Sequence, residues 1–188
     1  MRSLSRRVGA AVCLLAGACW LIYALIVRQF NPSYFHPTAA IDYLAVAVYS
    51  GGLLLLALAL AGLHACQAAF AEWDERLGFW TACVGALLAG IGDFGEDWLR
   101  MEVLAGLLYF PGLLLLLMGL VLFGIGTVRA GVVPKWAGAL LLLSPIVAAP
   151  LGGLFSRWTG TVLFGLIWVT LGFALWFDSS SSCSSSDS

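Results

Sequence analysis

The sequence has little charge. Aspartate, glutamate, lysine and arginine make up 10% of its 188 residues, whereas apolar residues make up 62%. Soluble domains carry about a quarter charged residues, and the mean hydropathy of +1.00 lies far above their usual range. The shortage of charge excludes a water-soluble protein, so we expect one membrane domain and no extramembrane catalytic domain beside it.

Histidine is scarce, with only His36 and His64. His36 falls between the first two apolar runs and His64 at the end of the second, so they are predicted to lie on opposite sides of the membrane. A bis-histidine haem needs an axial pair on one side. The sequence therefore disfavours haem.

The five cysteines are odd in number and include no C-x-x-C pair. Cys13, Cys19 and Cys83 lie within apolar runs and Cys66 just beyond one, where a free thiol packs as a small hydrophobe. Neither a disulfide framework nor a structural zinc site is expected.

Catalytic and ion-coupling patterns are also missing. No ionisable residue lies near the centre of an apolar run, where proton relays and coupled transporters usually place one. The sequence has no H-E-x-x-H motif and no evident pair of nucleophile and base. A coupled transporter is thereby disfavoured, and a membrane-embedded enzyme acting on lipid ranks last.

Six apolar runs are long enough to cross a membrane as helices, because about 20 residues span the roughly 30 Å hydrocarbon core. Lipid allows only helices or closed barrels, and the runs lack the alternation of barrel strands. We therefore predict an all-α, polytopic transmembrane helix bundle over residues 1–177, followed by a disordered Ser-rich tail at 178–188. The predicted spans are 8–27, 41–63, 77–92, 103–128, 136–154 and 158–177.

Prolines interrupt two of these runs. Pro111 is predicted to bend the fourth helix, and Pro145 and Pro150 are predicted to break the fifth. Interrupted helices line cavities in transporters. A small-molecule transport or permeation module built around the fifth run is therefore the alternative function.

The first run has a second interpretation. Arg6 and Arg7, followed by an apolar stretch and the segment 16–19 that ends in Cys19, resemble a secretory signal with a lipoprotein-type cysteine. A lipidated cysteine normally opens a polar region, but here the apolar run continues to Val27. An uncleaved helix is therefore predicted.

The distribution of lysine and arginine predicts the orientation. With the N-terminus in the cytoplasm, six basic residues lie inside and three outside, and the even number of spans returns the C-terminus to the same side. We predict a plasma- or inner-membrane protein with both termini cytoplasmic. The inner residues are Arg2, Arg6, Arg7, Arg76, Arg129 and Lys135, and the outer ones are Arg28, Arg100 and Arg157.

The most suggestive polar segment is the acidic outer loop predicted between the third and fourth runs. If it is helical, Asp93, Glu96 and Asp97 share one face, and Asp42 enters the membrane from the same side. Converging carboxylates suit a hard divalent cation such as Ca²⁺ or Mg²⁺, the only cofactor that the sequence suggests. The candidate ligand residues are Asp42, Asp93, Glu96, Asp97 and Glu102.

These residues also have a structural explanation. Asp93 and Glu96 resemble a capping box for the fourth helix, and Glu96 and Arg100 have the spacing of an i,i+4 ion pair. The charged residues at 72–76 are predicted to form a solvated inner loop.

Small residues recur every four positions in the third run, at Ala82, Ala86 and Gly90. Such stripes allow close approach of helices where lipid supplies no hydrophobic drive between them. We predict that the third helix packs through this stripe.

One short segment carries a resemblance. Residues Gly131 to Leu141 have the pattern G-x-x-P-x-W-x-G-x-L-L, which resembles one that recurs in small, uncharacterised polytopic membrane proteins of bacteria and archaea. The resemblance implies no activity. Pro134 suits a helix start and Trp136 a membrane interface.

The sequence thus favours a non-enzymatic integral membrane protein with an outward-facing acidic ligand or cation site. Its predicted partner is the lipid bilayer, and no nucleic acid is expected. A homo-oligomer and a membrane-protein partner both stay open.

Overall fold

The computed structural model describes residues 2–30, 39–67, 72–131, 134–147 and 157–181, and in these ranges the chain is all-helical. The predicted fold class is confirmed. His36, Pro150 and the tail beyond Ser181 lie outside the described residues. The helices are α1 (Arg2–Phe30), α2 (Ala40–Gln67), α3 (Trp73–Asp97), α4 (Glu102–Leu104), α5 (Phe110–Ala130), α6 (Lys135–Ile146) and α7 (Arg157–Ser181), with a π-helical turn (Ala105–Tyr109) before α5.

Within the described ranges, five stretches of helix are long and apolar enough to cross a membrane, as expected of a multi-pass protein. They lie in α1, α2, α3, the π turn continued by α5, and α7. The fifth predicted span is represented by α6, which is apolar but has only 12 residues and contains Pro145. The rest of that span, including the predicted break at Pro150, lies beyond the described part of the chain.

The third helix is longer than predicted. The sequence indicates a span over 77–92, but α3 begins at Trp73 and ends at Asp97. Charged residues continue the helix at both ends because Glu75 and Asp97 are buried against neighbouring helices. The segment from Asp93 to Asp97 is therefore helix and not loop. Asp93 lies inside α3, so the predicted capping box for the next helix is wrong.

The sequence predicts a bend near Pro111, and the helix changes type just before this residue. One α-helical turn, α4, is followed by the π turn, and Pro111 lies in the first turn of α5. Proline has no N–H and cannot donate to the preceding turn. At its other end α5 is closed by Gly131, whose φ of 62° lies in the left-handed region that favours glycine.

The helices other than the one-turn α4 pack in a closed ring, in the order α1, α2, α3, α5, α6, α7 and back to α1. On one side, α1 and α7 approach closely where Gly17 meets Gly165. The centre is filled by large apolar side chains that are almost completely buried. They include Leu53, Leu56, Leu60, Leu120, Phe123, Leu141 and Trp168.

The closest packing is between α3 and the continuous segment formed by the π turn and α5. Glycines recur every seven residues on both sides of this contact. A Cβ at any of them would fall closer than 3.0 Å to atoms of the facing segment. A seven-residue period keeps one side of each helix on its partner and is typical of left-handed crossings. These glycines are Gly78, Gly85 and Gly92 in α3 and Gly112, Gly119 and Gly126 in α5.

The predicted small-residue stripe of α3 is buried, but it is divided between two neighbours. Ala82 meets Gly119 of α5, whereas Gly90 faces Leu53 and Leu54 of α2. Ala86 is fully buried. The four-residue spacing therefore identifies a buried face, while the heptad glycines make the closest contact.

Ala86→Leu is expected to destabilise the fold, because three added carbons must enter a packed core. Overpacking of this kind costs about 1–3 kcal/mol. Thermal unfolding in detergent measures the effect, with Ala139→Leu as the control since Ala139 is exposed on α6. Equal midpoints for the two variants would show that position 86 can accommodate a large side chain.

Candidate functional site

Two polar clusters lie at opposite ends of the α2–α3 interface. In α3, Glu75 and Asp93 are eighteen residues apart, which is about five turns, so they lie on the same face about 27 Å from each other. We name the two ends of the bundle the His64 end and the Asp93 end after one member of each cluster. Between them the interface is mostly apolar, apart from Cys83, whose thiol donates to the Ala57 carbonyl at 3.6 Å.

At the His64 end, Glu75 is completely buried. Its Oε1 atom lies 2.8 Å from Nδ1 of His64 and accepts a hydrogen bond from Nε2 of Gln67 at 3.0 Å. Both partners come from the last turns of α2. The structure thus corrects the prediction of a solvated loop at 72–76, because one of its carboxyl groups is an interior side chain.

Thr127 of α5 fixes the orientation of the Gln67 amide. The Thr127 hydroxyl donates to the Phe123 carbonyl at 2.7 Å, so its oxygen is left to accept from Gln67 Nε2 at 3.0 Å. Both hydrogens of that amide nitrogen are then used, one on Thr127 and one on Glu75. Gln67 and Thr127 are each only 1% exposed.

Two atoms of this cluster have no partner within the part of the chain that the structure describes. Oε2 of Glu75 and Oε1 of Gln67 are buried and make no hydrogen bond to another described residue. Buried polar atoms are normally satisfied, and leaving one unpaired costs about 1–3 kcal/mol. Since both atoms are acceptors, the cluster is short of hydrogen-bond donors.

His64 connects the buried carboxyl group to the outside. Its side chain is 24% exposed, and its ring stacks on Phe79 with 4.2 Å between centroids. Beside it an exposed ion pair joins Arg129 of α5 to Asp74 at 2.5 Å. Asp74 and Arg129 form an ion pair with each other, and His64 is the ionisable side chain that contacts Glu75 directly.

At the Asp93 end, hydroxyl groups surround a second carboxyl group. Ser50 donates to Oδ2 of Asp93 at 2.5 Å. The hydroxyls of Tyr49 and Tyr109 lie 2.9 Å apart. Tyr109 closes the π turn, and its backbone lies against Gly92. Such π-helical insertions are frequent at functional sites.

The structure places four of the five predicted ligand residues at this end. Asp42 and Asp97 are buried and Glu96 is half-buried. Tyr43 and Trp98, adjacent to two of them in the chain, pack edge-on at 5.5 Å and bring the start of α2 to the end of α3. The side chain of Glu102 lies outside the described residues.

One of these carboxylates has an evident structural role, because Oδ2 of Asp42 accepts the Ala39 N–H at 2.9 Å at the start of α2. Among the described residues, no three His, Cys, Asp or Glu side chains are grouped so that they could hold a metal ion.

Two buried tryptophans also place polar N–H groups in the interior. The indole N–H groups of Trp20 and Trp168 have no hydrogen-bond partner among the residues that the structure describes. Trp20 packs edge-on against Tyr49 and Phe164 with centroids 5.2 and 5.1 Å away. An edge-on ring can direct its N–H at a neighbouring π face, so this aromatic cluster has a packing explanation.

Comparisons with known proteins gave no match. No protein-family model matches the chain, and no curated protein or solved structure matches it.

Proposed function

We propose that this chain is a non-enzymatic integral membrane protein that binds a small cation, in the simplest case a proton, at Glu75. His64 links this carboxyl group to the aqueous face. The excess of lysine and arginine supports a cytoplasmic location for the His64 end, in a plasma or inner membrane. The observation that carries the proposal is the completely buried carboxyl group of Glu75 with one oxygen unpaired.

The free-energy cost of burying the Glu75 carboxylate favours binding of a cation or a proton to it. Burying a carboxylate costs several kcal/mol after relaxation of its surroundings. Glu75 lies in the first turn of α3, where the helix dipole returns about 0.3–1 kcal/mol. The hydrogen bond from Gln67 and the contact with His64 add to this, and a cation or a proton at the unpaired oxygen would offset the cost that remains. Ionisable groups buried within membrane helices are functional candidates for this reason.

His64 is suited to load the site. Imidazole rings act as proton shuttles in proteins, and the His64 ring is partly exposed while its Nδ1 lies 2.8 Å from Oε1 of Glu75. A proton taken up from water can therefore pass to the buried carboxyl group within hydrogen-bond distance. The protein would respond to the cation on one membrane face, as a sensor or a carrier.

Infrared difference spectra of the protein in lipid test this proposal. Spectra are taken between two pH values, and separately with and without Na⁺ or K⁺ at fixed pH. We expect a carboxyl signal that Glu75→Gln removes and Asp74→Asn keeps, since Asp74 is already paired with Arg129. Identical difference spectra for wild type and Glu75→Gln would contradict the proposal.

The buried acidic residues of the Asp93 end support a second candidate, the outward-facing divalent-cation site. If Asp42, Asp93, Glu96 and Asp97 bind Ca²⁺, Mg²⁺ or Mn²⁺, the ion stabilises the folded state by mass action. The thermal midpoint of wild type should then rise with ion concentration at constant ionic strength. Glu96→Gln/Asp97→Asn should show a smaller rise. Equal responses would leave these residues with structural roles only.

A further inference from the structure

Among the described residues, the side-chain donors of Gln67 and Thr127 in the His64-end cluster are already used. Gln67 Nε2 donates to Glu75 and to Thr127, and the Thr127 hydroxyl donates to Phe123. The acceptors are not used up, since Glu75 Oε2 and Gln67 Oε1 are both buried and unpaired. Whatever completes the cluster therefore has to bring a donor.

A proton supplies the hydrogen-bond donor that the cluster lacks. Placed on Oε2, it removes the negative charge of Glu75 and turns that oxygen from an acceptor into a donor. The Gln67 amide already donates to Oε1 of the same carboxyl group, so we take its oxygen as the acceptor for this proton. A water molecule would satisfy the two oxygens but leave the charge.

We propose that the ligand of this site is the proton, and that Gln67, held by Thr127, is the positioning residue that selects it. Thr127 accepts one amide hydrogen of Gln67 and Oε1 of Glu75 accepts the other, so the Gln67 oxygen is left to accept from a protonated Oε2. Without Thr127 one of these two hydrogen bonds is lost, and the amide can rotate and turn its oxygen away from Oε2. This inference rests on the proposed binding of a cation at Glu75 and specifies its chemical identity.

The described ionisable side chains around the cluster make no hydrogen bond to Oε2 of Glu75, so the hydrogen bond from a proton on Oε2 is assigned to Gln67. Among the described residues, the ionisable side chains that neighbouring helices bring to this end include His64 and Cys66 of α2, Arg6 of α1 and Arg129 of α5. His64 is directed at Oε1 of Glu75, and Arg129 is bound to Asp74. None of the hydrogen bonds of His64 or Arg129 reaches Oε2.

The test is the infrared carbonyl band of protonated Glu75, identified as the band that Glu75→Gln removes. In wild type we expect the frequency of a hydrogen-bonded carboxyl group. Thr127→Val and Gln67→Leu should both move the band to the higher frequency of a free carboxyl group. Thr127→Ser keeps the hydroxyl and should restore the wild-type frequency.

Ser144→Ala is the matched control for the loss of a buried hydroxyl. Ser144 is completely buried in α6, and its hydroxyl donates to the Leu141 carbonyl at 2.7 Å, much as Thr127 donates to Phe123. The Glu75 band should not move in this variant. Valine has nearly the same shape as threonine, so the Thr127→Val variant, on which the test mainly depends, should keep its fold.

The outcomes separate this inference from the function on which it rests. A Glu75 band that stays in place in Thr127→Val and Gln67→Leu would overturn the role of Gln67. A Glu75 signal that responds to Na⁺ or K⁺ at fixed pH but not to pH would identify a metal cation as the ligand and overturn the proton. Absence of any Glu75 signal would remove the proposed function itself.

Discussion

Gly85→Leu is expected to prevent α3 from docking on α5. A Cβ at this position would collide with the backbone of Leu116 and with the carbonyl of Gly112, and backbone atoms cannot turn aside as a flexible side chain can. Overpacking a core already costs about 1–3 kcal/mol when side chains can adjust. The cost of Gly85→Leu should be larger than this. Folded proteins are stabilised by only about 5–15 kcal/mol, so the substitution should remove a large part of the free energy of unfolding.

Thermal unfolding and gel filtration in detergent measure this effect. The matched control is Gly51→Leu, because a Cβ on Gly51 in α2 has no atom within 4 Å. Gly51→Ala should even raise the midpoint slightly, since glycine within a helix costs about 0.5–1 kcal/mol relative to alanine. Similar midpoints for Gly85→Leu and Gly51→Leu would show that the heptad glycines are not needed for packing.

Glu75→Leu is expected to destabilise the protein strongly, whereas Glu75→Gln is expected to retain or increase its stability. Leucine removes the acceptor of Gln67 and the partner of His64, and breaking a buried pair in this way costs about 3–5 kcal/mol. Glutamine keeps one acceptor oxygen and adds an NH₂ group. It therefore supplies the hydrogen-bond donor that the cluster lacks.

Unfolding of both variants in the same detergent provides the comparison. Glu72→Leu is the control for replacing a glutamate by leucine near the start of α3, because Glu72 is exposed. It should change the midpoint by far less than Glu75→Leu. If Glu75→Leu were as stable as Glu75→Gln, the hydrogen bonds of the cluster would contribute nothing to the fold.

The sequence predicts the fold class because the apolar runs alone determine it. It also contains a signal for the burial of Glu75, which lies seven residues before Ala82 and fourteen before Ala89, and both of these alanines are fully buried. The charged character of residues 72–76 concealed that period. Helix ends are harder to predict, since a charge stops a helix in lipid only if it has no partner inside the bundle.

The contacts of Gln67 and Thr127 could not be predicted from the sequence. The two residues are sixty positions apart in the chain, and their meeting depends on the rotation of α2 and α5 about their own axes. No local pattern encodes that rotation. The divalent-cation site at Asp42, Asp93, Glu96 and Asp97 stays a prediction, although the structure does bring these residues to one end.

The six heptad glycines also determine where this bundle can move. With backbone set against backbone, α3 and α5 cannot slide past each other without clashes at every glycine, so they should act as one rigid body. The α2–α3 interface is lined instead by leucine and alanine side chains that can change rotamer. We expect any response to a charge on Glu75 to occur as a shear of α2, carrying α1, along this smoother surface.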